Sequence, residues 1–216
     1  LLTISYVSPP RGALGHSFIP LVGVMERLGF IADQSADLSE AIAEMKALQK
    51  RINERVPAAE NPAKGLAQRL YGKMVVVYGA GHLTEVARRW KTQFNENSKA
   101  WSFFEALPEL SHNFLEGSRF PAEVAEGMAA VALSSSQYSP RMRLRLEVTQ
   151  EVLARQGVHC EKVEALGRNA LAQMLSTIHL GDYVSFYLAM LYGIDPSLIT
   201  NINYLKERLA ISDNRT

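Results

Sequence analysis

The sequence predicts an α/β domain built on a parallel sheet, and three observations carry that prediction. KMVVVYGAG (73–81) is a short β-branched run that stops on Gly-Ala-Gly, the pattern of a buried parallel strand feeding a tight turn. Short apolar runs recur after it, separated by stretches of helical periodicity. The stretch ALAQMLSTIHLGDYVSFYLAMLYG (170–193) is apolar nearly all round, as a core or subunit-interface helix is. Strands alternating with helices imply parallel pairing through right-handed crossovers.

Each element can be justified in order. The opening run LLTISYV reads as strand-like and ends at Pro9-Pro10, an extended connector. GALGHSFIPLVGVMERLGF (12–30) is apolar enough for a helix despite Pro20 and its glycines. Leu38, Ile42, Met45, Leu48, Ile52 and Val56 then fall on one face of a solvated helix with Asp37 near its start. VPAAENPAKG (56–65) reads as a loop. After the strand at 73–81, a helix places Leu83, Val86, Ala87, Trp90 and Phe94 on one face and ends near Asn95–Asn97. Further strands are expected at 100–105, 128–133 and 158–163, with a crossover helix at 140–156. There Met142, Leu144, Leu146 and Val148 alternate with period two, so a strand stays open as the alternative. ITNINYLKERLA (199–210) closes as an amphipathic helix, and SDNRT as a frayed tail.

At 216 residues the chain suits one large domain or two small ones. Its 23 Lys and Arg against 22 Asp and Glu give no electrostatic footprint for nucleic acid. A single cysteine, Cys160, excludes an intrachain disulfide and a cysteine-built zinc site, and fits a reducing cytoplasm. No apolar run reaches bilayer length, and no histidine pair has metal-ligand spacing with an accompanying carboxylate. The chain opens without an initiator Met, so we expect a piece cut from a longer polypeptide.

Ligands of open α/β sheets sit beyond the carboxyl ends of the strands. That rule puts GAG (79–81), the 95–113 region and SSSQYS (134–139) on one expected functional edge. GAG lacks the full G-x-G-x-x-G spacing and reads as a tight turn. The hydroxyls of SSSQYS suit either a phosphate or a helix cap. Glu96 at a helix C-terminus faces an unfavourable dipole, a setting suited to a general base or simply to an exposed end. His112 reads as a polar-loop histidine, Arg11 as an anion anchor or an ordinary surface arginine, and Lys206 as part of a solvated face.

The blocks PPRGALGHSFIPLV, VYGAG, ARRWKTQFNENSKAW, PELSHN, IHLGDYVSFYLAMLYGIDP and NYLKERLA go further. Together they resemble the C-terminal half of the bifunctional phosphoglucose/phosphomannose isomerases, which are built from two sugar-isomerase (SIS) domains. The resemblance implies a three-layer α/β/α SIS domain with a flavodoxin-like parallel sheet. It implies residues 1–10 as an interdomain connector, 11–212 as the C-terminal SIS domain and 213–216 as a tail, with the N-terminal SIS domain absent. In that reading Glu96 matches the base that moves a proton between C2 and C1 of an open-chain sugar phosphate through a cis-enediol. His112 matches a histidine that assists ring opening and is lent across a homodimer interface. Lys206 matches the lysine assigned to ring-oxygen chemistry, Arg11 the arginine that stabilises the enediolate, and Thr200 the threonine associated with tolerance of C2 epimers. Where the family more usually reads N-H-N-E, this chain has Ser111-His112-Asn113-Phe114. The family's phosphate loop belongs to the first SIS domain, so the chain alone is expected to be inactive on its sugar phosphate. No cofactor, metal, membrane or nucleic acid is implied. The rival readings are a non-catalytic sugar-phosphate sensor and an SIS isomerase for another sugar phosphate.

Overall fold

Three successive valines set Met74–Ala80 at the centre of the sheet as β1, because β-branched side chains pack well on both faces of a pleat. Ser102–Leu107 (β2), Met128–Ser134 (β3) and His159–Glu164 (β4) complete it. In this computed structural model, which describes residues 3 and 5–213, the four strands run parallel in the order β2-β1-β3-β4. The order reverses between β1 and β3, which makes their carboxyl ends the topological switch point.

Nine α-helices accompany the sheet among the described residues: α1 (Leu14–Arg27), α2 (Ser35–Ile52), α3 (Pro62–Leu70), α4 (Thr84–Asn97), α5 (Phe114–Gly117), α6 (Ala122–Gly127), α7 (Pro140–Arg155), α8 (Ala170–Leu191) and α9 (Thr200–Asp213). Successive strand residues face opposite sides, and register separates the two helical layers. Phe104 lies under Arg88 of α4, and Glu161, on the same face, pairs with Arg69 of α3. Cys160, one residue earlier, points to the other face and reaches the Gln150 carbonyl of α7. The result is the three-layer α/β/α arrangement, with α8 packed across α2, α3 and α4. None of the described helices is long and apolar enough to cross a membrane.

Several local expectations change. The segment read as a loop at 56–65 gives way to α3 at Pro62, because buried Asn61 caps it. Its side chain accepts from the Ala63 and Lys64 amides at 3.0 Å each and donates to the Asn53 carbonyl, with Pro62 at the position where a missing N–H costs nothing. Asn61→Ala should cost about 1–2 kcal/mol, measured by denaturant unfolding. On α2, Ala41, Leu48 and Ile52 are buried, whereas Ile42 is exposed and Val56 lies beyond the helix. The ambiguous stretch at 142–148 is helical, with Leu146, Thr149 and Leu153 buried and Leu144 and Val148 exposed. β2 starts two residues later than expected, and α9 runs through Asp213. Of the opening apolar run, Leu1, Leu2 and Ile4 lie outside the described residues, and Thr3 and Ser5–Val7 form no strand; residues 214–216 of the tail lie outside as well.

Candidate functional site

The switch point is closed by the chain's own side chains. Tyr138 hydroxyl donates to the Ala80 and Leu133 carbonyls and accepts from the Ala80 amide at 2.9 Å. Gln173, fully buried on α8, accepts from Ser135 Oγ, engages His82 Nε2, and donates from Nε2 to Ser136 Oγ and the Gly167 carbonyl. Ser139 caps α7 through the Met142 amide. Ser135, Ser136 and Ser139 are therefore engaged in the core network and the α7 cap. Gly-Ala-Gly is a tight turn: Gly81 has φ +52°, and a Cβ on Gly79 would lie 2.7 Å from the Leu83 carbonyl oxygen.

An open cleft lies at the other edge. α4 begins at the carboxyl end of β1 and runs back along the sheet, so Glu96, near its last turn, arrives beside the start of β2, where the Val75 amide donates to the Trp101 carbonyl. The expected common edge is thus corrected: GAG, His112 and 134–139 share the carboxyl edge, while Glu96 sits at the amino edge. Strands rise about 3.3 Å per residue, so the length of β2 alone holds Glu96 and His112 roughly 17 Å apart in one chain.

At the amino edge, Asn95, Glu96, Lys99, Thr200 and Asn201 line a cavity of about 370 Å³ closed on one side by Leu198, Ile199 and Ile202. Arg11, whose side chain is only 12% exposed, reaches Glu96 Oε2 with Nη1 at 3.3 Å and donates from Nη2 to the Pro196 carbonyl at 2.9 Å. Two helix contacts fix the Glu96 turn: Asn97 donates to Ser185 Oγ and Ser98 Oγ donates to the Ser185 carbonyl. The structure so brings Arg11, Glu96 and Thr200 together. His112 is exposed at the end of a 3-10 turn after β2, and Lys206 is exposed on α9 without an ion pair among the described residues.

Sequence reasoning missed the supports of this cleft. Arg89 Nη2 donates to the Arg11 carbonyl at 2.9 Å and pairs with Asp182 of α8, which also accepts from Gln93. Burial pushes the Asp182 carboxyl up from the ordinary aspartate value, and Arg89 and Gln93 pull it back. A lone acid in an otherwise apolar helix was the legible signal for Asp182. Lys99 is the other omission; it has a left-handed backbone (φ 53°) and donates from Nζ to the Glu96 and Pro196 carbonyls. Lys99 is exposed; slight desolvation of its ammonium, then Arg11, lower its pKa from the ordinary lysine value.

Comparison with known proteins identifies the family of the fold. Residues 59–209 match the family described as the bacterial phospho-glucose isomerase C-terminal SIS domain. A bifunctional phosphoglucose/phosphomannose isomerase from Caldicellulosiruptor bescii is 36% identical over 97% of this chain and 62% of its own length. One from Aquifex aeolicus is 33% identical over 93% of this chain and 58% of its own. The chain thus spans less than two thirds of these relatives. The crystal structure of a glucose-6-phosphate isomerase like protein from Thermus thermophilus superposes with TM-score 0.65 and 27% identity, covering 74% of this chain and 54% of that one. With its parallel sheet and residues 59–209 accounted for, the chain belongs to the bacterial phospho-glucose isomerase C-terminal SIS domain family.

Proposed function

We propose that this chain is the C-terminal SIS domain of an aldose-ketose isomerase of carbohydrate metabolism, interconverting glucose 6-phosphate and mannose 6-phosphate with fructose 6-phosphate in the cytoplasm. Residues 1–10 serve as the connector and 11–212 as the domain; an N-terminal SIS domain supplies the main phosphate site. The observation that carries the reading is Arg11 against Glu96 in a cleft that also holds Thr200.

In the open-chain aldose, the Glu96 carboxylate removes the C2 proton. The C–H pair becomes the C1=C2 bond, and the carbonyl pair moves onto O1 as an oxyanion. Arg11, already oriented by Arg89 and Pro196, meets that charge without reorganisation. The O2 hydroxyl proton passes to O1, Glu96 returns its proton to C1, and C2 becomes the ketone. Thr200, which lines the same cavity as Glu96, is the residue assigned to the C2 substituent of both epimers. Lys206 serves the ring oxygen. His112, at the opposite edge from Glu96, assists ring opening in the neighbouring copy of a homodimer.

Mixed dimers of the full-length protein test this reading. Glu96→Gln and His112→Ala should each be nearly inactive alone. Mixed one to one, half the dimers hold one site with both residues intact, so about a quarter of wild-type isomerase activity should return. Recovery of none would remove His112 from the neighbour's site, and full activity of either single variant would remove that residue from the chemistry.

A further inference from the structure

We propose that Lys99 is a second oxyanion-binding catalytic residue of the Glu96 cleft. This rests on the isomerase reading above. The Pro196 carbonyl oxygen accepts from Arg11 Nη2 at 2.9 Å and from Lys99 Nζ at 3.1 Å. Two cations converging on one oxygen lie at most about 6 Å apart, and each has a further N–H, not spent on the Pro196 or Glu96 oxygens, that an oxyanion in the adjoining cavity can use. Lys99 is part of the wall of the cavity that Glu96 lines, and Arg11 lies directly behind that wall, against the Glu96 carboxylate.

Two further observations favour this role over an ordinary helix-end lysine. Lys99 holds φ at 53°, a region that side chains other than Asn, Asp and Gly rarely occupy, and such backbone outliers concentrate at functional sites. Its pKa is lowered first by slight desolvation and then by Arg11, with Asp195 and Glu96 opposing. Asp195 also accepts from the amide and hydroxyl of Ser197, so its carboxylate is shared. Unfavourable proximity of Lys99 and Arg11 in the free site becomes favourable once O1 carries negative charge. In the proton transfer described above, Lys99 donates a hydrogen bond to O1 as the carbonyl pair arrives there. It keeps its proton, and O1 takes its own from O2.

Full-length Lys99→Asn and Lys99→Arg test this. Asn retains the left-handed backbone while removing the ammonium. Loss of one oxyanion donor should lower kcat about a hundredfold, with KM changed less than about threefold. Lys99→Arg should recover at least about a tenth of wild-type kcat. The pH profile separates charge from scaffolding. A folded-state pKa below the ordinary lysine 10.5 in the free site means that wild-type kcat/KM falls as pH rises through the folded-state value. The alkaline fall should vanish in Lys99→Asn and move to higher pH in Lys99→Arg. An unchanged kcat, or an unchanged alkaline limb with lowered thermal stability, would overturn the role and leave Lys99 as a strap on Pro196. Glu96→Gln run alongside distinguishes the failures: if it is inactive while Lys99→Asn is not, only the Lys99 role falls; if it is active, the isomerase reading itself falls.

Discussion

Replacing Glu96 by Gln in the full-length protein should lower exchange of the substrate C2 proton with solvent by about a thousandfold or more, since a positioned general base contributes roughly 10²–10⁴. The substitution keeps shape and an acceptor for Arg11 Nη1, so under the proposed reading KM for glucose 6-phosphate, which carries the C2 proton, should stay within about threefold of wild type. Glu96 is 39% exposed and Gln keeps an acceptor for the largely buried Arg11, so the loss of stability should be small, and the melt separates it from the loss of exchange. The measurement is deuterium incorporation at C2 by NMR, alongside a thermal melt. Exchange at the wild-type rate would remove Glu96 as the base.

The largest stability effect should come from Gly181→Ala. On α8, a Cβ at this position would sit 2.3 Å from Trp90 Nε1 and 2.4 Å from Cε2. Trp90 is 1% exposed and donates to the Thr177 carbonyl at 2.9 Å, so it has nowhere to withdraw. Overpacking costs about 1–3 kcal/mol and the strained indole hydrogen bond about 1 more, giving roughly 3 kcal/mol in all. For a chain of this length that is a fall in Tm of about 10 °C. Gly23→Ala is the matched control: it sits inside α1 with nothing within 4 Å of its Cβ position. There the better helix propensity of alanine should stabilise by up to about 1 kcal/mol. A Gly181→Ala melt within 2 °C of wild type, on the scale of about 3 °C per kcal/mol, would mean that α4 and α8 can separate freely.

Much of this fold was legible because periodicity reports burial. The valine run of β1, the Val86-Ala87-Trp90-Phe94 face of α4 and the apolar length of α8 all occupy the places expected of them. α3 escaped because Asn-Pro reads as a turn unless the side chain of the Asn is known to turn inward onto the Ala63 and Lys64 amides. α5 and α6, at four and six residues, are too short for any periodicity to register. Glu96 was singled out by the sequence but placed on the wrong edge. A helix that leaves the carboxyl end of one strand returns to the amino end of the next, so residues 95–113 span both edges of the sheet. Arg89, Gln93 and Lys99 were invisible because their role depends on which carbonyl or carboxylate faces them across α8 and the 194–199 segment.

The separation of Glu96 and His112 by a full strand length has a consequence for how activity responds to dilution. With base and histidine at opposite ends of one sheet, no bending of a single protomer joins them, so under the proposed reading a lone protomer has no complete site. Specific activity then follows mass action: below the dissociation constant of the dimer it falls with the fraction of protomers paired. A sugar phosphate that binds across the junction raises that fraction, because ligand held by the assembled form shifts association in its favour. Substrate supply would therefore set how much enzyme is assembled as well as how fast the assembled enzyme turns over.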